Sequence, residues 1–115
     1  MSSPDTGTRQ YQAFELDQLQ SDRSKSYAEF LRRPGLSMGI YHLPVGGTDQ
    51  QHPHAADEVY VVLAGRGSLQ VAGQRVPVER GAVVSVDSGT DHHFVEVTED
   101  LSVLVAFAPP ATPDD

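Results

Sequence analysis

From residue 58 onward, the chain alternates between short runs of apolar, β-branched residues and isolated glycines. Runs of about four to eight such residues between turn signals are typical of strands in a sandwich or barrel. No segment of helical period separates the runs, which disfavours a parallel sheet built from strand–helix–strand units. The predicted strands are 58–64, 68–72, 74–78, 82–86, 93–97 and 101–107, and glycines between them stand at positions 65, 67, 73, 81 and 89.

The N-terminal part predicts two further strands and one ambiguous element. The stretch SYAEFLRRPGLSMGIYHLP reads as two strands joined at Arg33–Gly35, because proline and glycine supply turn dihedrals. Residues 12–20 fit either a short helix or a strand followed by a turn, since their large apolar residues define no period. The polar ends, 1–10 and 110–115, predict flexible tails around a single domain over 11–109.

Two predicted strands, 59–64 and 103–107, are apolar on both faces. A strand that is apolar throughout is covered on both sides. In a small barrel one side faces the interior, and the other is covered by a second sheet, the N-terminal segment or another subunit. We favour a homodimer, and the alternative is that residues 12–32 provide the whole cover.

Charge and composition narrow the possible partners. The net charge is −8 over 115 residues, and the eight Lys and Arg residues are scattered, which disfavours nucleic acid binding. A negative field favours cations. The chain has no cysteine, so disulfides, thiolate zinc sites and a cysteine nucleophile are excluded. Because neither a signal peptide pattern nor an apolar run of about 18 residues is present, we expect a cytoplasmic protein that does not bind membranes.

Three residues near the first predicted barrel strand, His52, His54 and Glu58, share one face of an extended chain, since side chains two apart point the same way. His92 opens another predicted strand. If the two strands are neighbours, three imidazoles and one carboxylate converge, a set that suits Fe(II), Mn, Ni, Cu or Zn. The alternatives are a histidine pair in a solvated loop, a surface glutamate and a turn or core histidine, and spacing alone leaves both interpretations open.

Two motifs extend this pattern. Residues 46–65 read G-x5-H-x-H-x3-E-x6-G, which resembles the first signature motif of the cupin superfamily at every named position. Residues 81–96 read G-x5-D-x-G-x2-H-x3-E and resemble the second motif. The resemblance implies an all-β fold, a double-stranded β-helix or jelly-roll-like barrel with a short N-terminal extension. It also implies that the metal ligands are His52, His54, Glu58 and His92.

The second motif departs from the family pattern at two positions. Asp87 stands where proline is usual, and Asp also supports turns. Glu96 stands where asparagine is usual. If Glu96 points inward it is a catalytic candidate, as a second acid that orients His92 or accepts a proton; if it points outward after a bulge, it is a solvated charge. Tyr60, the second catalytic candidate, shares the parity of Glu58 and either offers its hydroxyl to a substrate or packs.

For other residues, the sequence gives less information on whether the side chain lines the pocket. Phe94 shares the parity of His92. The strand over residues 36–43 presents two alternative faces to the pocket, and the sequence does not distinguish them. One face carries Met38, Ile40 and His42, and the other carries Gly39 and Tyr41.

Three functions are compatible with this pattern. The first is a metal-dependent enzyme that acts on a small organic substrate, as a dioxygenase-like oxidoreductase or as an isomerase or lyase. The second, which is the main alternative, is a non-catalytic module that binds or senses a small molecule or a metal. The third is a barrel with a vestigial site, which the retention of all four ligand positions disfavours.

Overall fold

A computed structural model describes residues 8–18, 26–49 and 55–112. A 3₁₀ helix over Ala13–Gln18 precedes the strands, so the ambiguous N-terminal element is helical in this part. Strands make up most of the rest, as the sequence predicted. They are β1 (Tyr27–Arg33), β2 (Leu36–Leu43), β3 (Asp57–Val71), β4 (Gln74–Glu79), β5 (Val83–Val86) and β6 (His92–Ala108).

All strand pairs are antiparallel, and they form two layers that share the long strands β3 and β6. In the first layer the strand order is β1, β2, β6, β3 and β5. The C-terminal half of β6 and the N-terminal half of β3 belong to this layer. In the second layer the C-terminal half of β3 pairs with β4 and with the N-terminal half of β6. This arrangement is the predicted antiparallel β-barrel of jelly-roll type.

The two layers are joined by a bend in the β3–β6 ladder. Its register shifts repeatedly between Val62 and Ser68. Gly65 has a φ of 94°, and a Cβ at this position would overlap the carbonyl of Asp100 on β6. The expectation that Gly65 and Gly67 separate two strands is therefore wrong, because these glycines allow one continuous strand to bend against its partner. Residues 93–97 and 101–107 are likewise parts of one strand.

The main core lies between the layers. It contains aromatic and aliphatic side chains from the inner faces of five strands, together with Ala56 from the residue before β3. Its members are Tyr41, Leu43, Ala56, Tyr60, Val62, Leu69, Val78, Val86, Phe94, Leu101, Val103, Val105 and Phe107.

A smaller apolar cluster covers part of the outer face of the first layer. Leu16 of the 3₁₀ helix packs with Ile40 and Leu63, and half-buried Phe30, Val61 and Leu104 surround them. The N-terminal segment thus provides some of the cover expected for the two-sided strands. The homodimer stays a prediction. None of the helices within the described ranges has the length and apolarity that a membrane crossing needs.

Of the predicted tails, residues 1–7 and 113–115 lie outside the described residues. Ala111 follows β6 and is half-buried. Its backbone N–H donates to Ser37 Oγ at 2.8 Å, and its carbonyl accepts from Arg32. The chain after β6 is therefore tied to β1 and β2 as far as this residue.

Candidate functional site

The barrel interior holds a buried acid–imidazole pair. Glu58 is the second residue of β3, and His92 is the first residue of β6. The Oε2 atom of Glu58 lies 3.0 Å from Nε2 of His92, and each side chain is only 1% exposed. In the β3–β6 ladder Glu58 is opposite Phe107 and His92 is opposite Val71, at the two ends. The bend of the ladder is what brings these ends together.

The imidazole of His92 is oriented by the backbone of its own turn. Its Nδ1 lies 2.8 Å from the carbonyl oxygen of Thr90. Because a carbonyl oxygen only accepts, Nδ1 carries a hydrogen, and in the neutral ring Nε2 then presents its lone pair to the carboxylate of Glu58. Two acceptor atoms at this distance require a proton or a cation between them.

Opposing effects act on the pKa of His92. Burial lowers it, whereas the hydrogen bonds with Glu58 and the Thr90 carbonyl, together with the charges of Glu58 and Asp49, raise it. The net effect is a pKa above the ordinary value for histidine, so the surroundings stabilise positive charge at this position.

Tyr60 fixes the second oxygen of the carboxylate. Its buried hydroxyl donates to Oε1 of Glu58 at 2.9 Å. The ring packs edge-on against Phe94, with centroids 5.3 Å apart, and lies 5.9 Å from the ring of His92. The sequence left open whether the Tyr60 hydroxyl contacts a substrate or the ring only packs. In the structure the ring packs in the interior and the hydroxyl binds Glu58. Tyr60 therefore positions Glu58 so that Oε2 faces the imidazole.

Asp49 is a half-buried acid that had no role in the prediction from sequence. Its Oδ1 accepts from the hydroxyl of Tyr41 at 2.8 Å, and its Oδ2 accepts from the backbone N–H of Phe94 at 2.6 Å. Burial, and then the charge of Asp49, raise the pKa of Tyr41. Asp49 lies in a loop without periodicity, so its only sequence signal was proximity to His52. It ties the loop before β3 to β2 and β6.

These contacts decide which face of β2 lines the interior. Tyr41 stacks on Phe94 with ring centroids 6.1 Å apart, and Gly39 lies on the same inner face. His42 and Ile40 belong to the opposite, outer face.

Glu96 lies outside this site. It has a φ of 51°, its side chain is 62% exposed, and its carboxylate pairs with Arg75 on β4. The left-handed residue interrupts the alternation of β6, so Glu96 does not follow His92 and Phe94 inward. This corrects the catalytic assignment of Glu96 and supports the outward alternative.

The two remaining predicted ligands, His52 and His54, lie outside the described residues. Across 8–18, 26–49 and 55–112, no cluster of three or more His, Cys, Asp or Glu side chains has an arrangement that would hold a metal ion. The structure therefore brings together two members of the predicted set, Glu58 and His92, and the four-ligand site stays a prediction.

The comparisons with known proteins agree with this architecture. The chain is 46% identical over 101 residues to the uncharacterized protein SCO3923 of Streptomyces coelicolor, a match that covers 85% of this chain and 96% of that one. TT1209 from Thermus thermophilus superposes with a TM-score of 0.70 at 22% identity, over 84% of this chain and 95% of that one. KdgF from Halomonas sp. superposes with a TM-score of 0.68 at 20% identity, over 76% and 80%. The model of the Cupin domain family matches residues 39–107, which include all of β3, β4 and β5 and most of β2 and β6. The chain therefore belongs to the cupin family.

Proposed function

We propose that this cupin is a metal-dependent enzyme that acts on a small organic substrate, with a mononuclear divalent metal held by His52, His54, Glu58 and His92. The observation that carries the proposal is the contact between Glu58 Oε2 and His92 Nε2 inside the barrel. Burying a carboxylate is costly unless a positive charge compensates it. A divalent cation bound by the two side chains would supply that charge.

The chemistry of the donor set fits such an ion. Imidazole nitrogen and carboxylate oxygen are common ligands of Fe(II), Mn, Ni, Cu and Zn. The Thr90 carbonyl fixes the tautomer of His92, and the Tyr60 hydroxyl fixes the carboxylate of Glu58. Outer partners of this kind orient ligands, and an acceptor on the ring N–H, here the Thr90 carbonyl, also raises the basicity of the imidazole. When bound, the ion supplies a Lewis acid for a substrate oxygen and, if it is iron, a redox centre.

The surrounding residues would prepare the site for substrate. Phe94 and Phe107 are 3% and 6% exposed and provide apolar walls that exclude water. A dry interior strengthens the electrostatic interactions between the bound ion and a substrate oxygen. Asp49 holds Tyr41 and the backbone of Phe94, which keeps one of these walls in place. The proposed reaction is dioxygenase-like oxidation, and isomerase or lyase chemistry would use the same ligands.

The metal is tested on protein prepared without a histidine tag and reconstituted with Fe(II). We expect about one ion per chain, and we expect Glu58→Gln to weaken metal affinity by about tenfold or more. Glu96→Gln is the matched control, because it makes the same chemical change on the exposed side of β6 and should leave the affinity unchanged. Substoichiometric metal in the reconstituted wild type, or equal affinities in the two variants, would refute the site.

Oxygen consumption by the Fe(II) protein separates catalysis from binding. A panel of catechols, diketones and thiols should include a substrate whose oxidation depends on Glu58. Full metal loading without turnover of any panel member, and without isomerase or lyase activity, would instead support the alternative of a non-catalytic binding or sensing module.

A further inference from the structure

Tyr27, the first residue of β1, has a buried hydroxyl without a hydrogen-bond partner among the described residues. Within the described part of the chain, this oxygen is fully screened from solvent and has no hydrogen-bond partner. A buried hydroxyl without a partner destabilises a fold. A phenylalanine would keep the same ring contacts without this cost, so the packing of the ring does not account for the hydroxyl.

A glycine makes room for this hydroxyl. Gly39 of β2 lies beneath the end of the Tyr27 ring, and a Cβ on Gly39 would overlap both Cζ and the hydroxyl oxygen. Gly39 has no positive φ, so the turn geometry that often requires glycine is absent here. Its lack of a side chain is therefore explained by the close approach of the tyrosine.

The hydroxyl is directed over the same inner face that carries Glu58 and Tyr60. Gly39 is opposite Val105 on β6, and Val105 is opposite Tyr60 on β3. Two strand spacings, about 10 Å, therefore separate the backbones of Gly39 and Tyr60. The Tyr27 ring also meets the edge of Phe107, with centroids 6.0 Å apart at 81°. Phe107 is the cross-strand neighbour of Glu58, so Tyr27 borders the candidate site.

We propose that Tyr27 is a ligand-binding residue whose hydroxyl donates a hydrogen bond to an oxygen of the organic molecule held beside Glu58 and His92. This inference rests on the proposed metal-dependent function. It specifies the ligand as an oxygen-bearing molecule with two acceptor groups, one near the ion and one near Tyr27.

The surroundings of Tyr27 favour the role of donor. Burial is the main cause that raises the pKa of Tyr27 to about 12, and the charges of Glu29 and Glu58 add to it. The phenol therefore keeps its proton across the neutral range and presents an O–H group to the interior.

The test uses the full-length protein loaded with Co(II), whose visible absorption reports changes in coordination. Succinate carries two separated carboxylates, one for the ion and one for the hydroxyl, whereas acetate carries one. We expect Tyr27→Phe to weaken succinate binding by about three- to tenfold, the loss of one hydrogen bond, and to leave acetate and Co(II) affinity unchanged. The melting temperature of the ligand-free variant should be equal to or above that of wild type.

Two further variants complete the test. Tyr11→Phe makes the same change on an exposed tyrosine that packs against Phe30 outside the barrel. This variant should leave the affinities for succinate, acetate and Co(II) unchanged. Gly39→Ala keeps the hydroxyl but displaces it, and should reproduce the loss of succinate affinity. If it fails to fold, the Tyr27→Phe comparison still decides the question.

The outcomes distinguish this inference from the proposed function. Failure of wild type to bind Co(II) would overturn both. Co(II) binding with equal succinate affinity in wild type and Tyr27→Phe would overturn the inference alone, as would Co(II) binding without succinate binding. An equal loss for acetate and succinate would also overturn it, because it would indicate a general disturbance of the site.

Discussion

The two faces of β3 differ in polarity and in exposure. The inner face carries Glu58 and Tyr60, which are 2% and 1% exposed and joined by a hydrogen bond. The outer face carries Leu63, covered by the N-terminal helix, and Val59, which is 39% exposed. The outer face thus changes from a covered to an open surface, whereas the inner face is buried at Glu58, Tyr60 and Val62.

The difference follows from what each face buries. A buried carboxylate needs partners at defined distances, so neighbouring aromatic rings and backbone groups are fixed around Glu58. The outer face buries apolar surface, and this stabilisation does not depend on the exact orientation of the side chains. We therefore expect substitutions on the inner face to change both stability and ligand binding, and substitutions on the outer face to change stability or association alone.

The largest expected effect is in the barrel interior, which the inner faces of β3 and β6 line. Phe94→Ala removes a ring that packs against Tyr41 and Tyr60, and we expect it to lower the free energy of unfolding by about 3–5 kcal/mol. Urea denaturation measures this loss. Phe14→Ala is the matched control, because Phe14 is 56% exposed and contacts only the guanidinium of Arg80 among its described ring contacts, so its loss should stay below about 1 kcal/mol. Similar costs for the two variants would contradict the distinction between the interior and the outer surface.

A smaller effect is expected at the covered end of the outer face. Leu16→Ala should cost about 2–3 kcal/mol, near the lower end for buried leucine, because the short helix can relax toward the sheet. Metal affinity should not change. A loss of metal affinity in this variant, at temperatures where it stays folded, would show that the outer cover also supports the interior.

The pH dependence of the metal-free protein tests the polar pair of the inner face. The folded-state pKa of His92 is raised above its unfolded value, so the stabilisation is fully present below about pH 6.5 and is lost as the pH rises through the folded pKa. The free energy of unfolding should therefore decrease as the pH rises from about 6.5 through the folded pKa. In His92→Gln this decrease should be smaller. Metal affinity should change in the opposite direction, because neutral imidazole is the ligand. A slope that His92→Gln leaves unaltered would contradict the assignment.

The smallest effect on stability is expected at the open end of the outer face, where Val59 and Val83 are 39% and 66% exposed. If this surface forms the predicted homodimer, Val59→Glu should yield a monomer by light scattering while each chain's stability changes by only about 0.5 kcal/mol. Val45→Glu, at an exposed loop position, should remain dimeric. A wild type that is monomeric, or a dimeric Val59→Glu, would refute this interface.

Much of the inner face could be predicted from alternation along the strands. Glu58 and Tyr60 share a parity, as do His92 and Phe94, and the structure places all four in the interior. The prediction for Glu96 failed because one residue with positive φ interrupts the alternation, and alternation carries no information about such a residue in advance.

Other features could not be derived from pattern. Both faces of β2 are rich in apolar residues, so only the folded barrel distinguishes Tyr41 from Ile40. The role of Tyr27 depends on its approach to Gly39 on the neighbouring strand, and that of Asp49 on a loop that reaches Phe94. Tertiary contacts determine these roles, and local sequence contains no signal for them.

The bent ladder of β3 and β6 also has a consequence for folding kinetics. Its partners are distant in sequence, and pairing of this kind slows folding because loop-closure entropy is lost before the contacts form. Glu58 and His92 stand at opposite ends of the ladder, so their contact requires the strands to be paired and bent already. We expect this contact to be absent from the transition state. A ligand that joins the two side chains would then slow unfolding while leaving the folding rate unchanged.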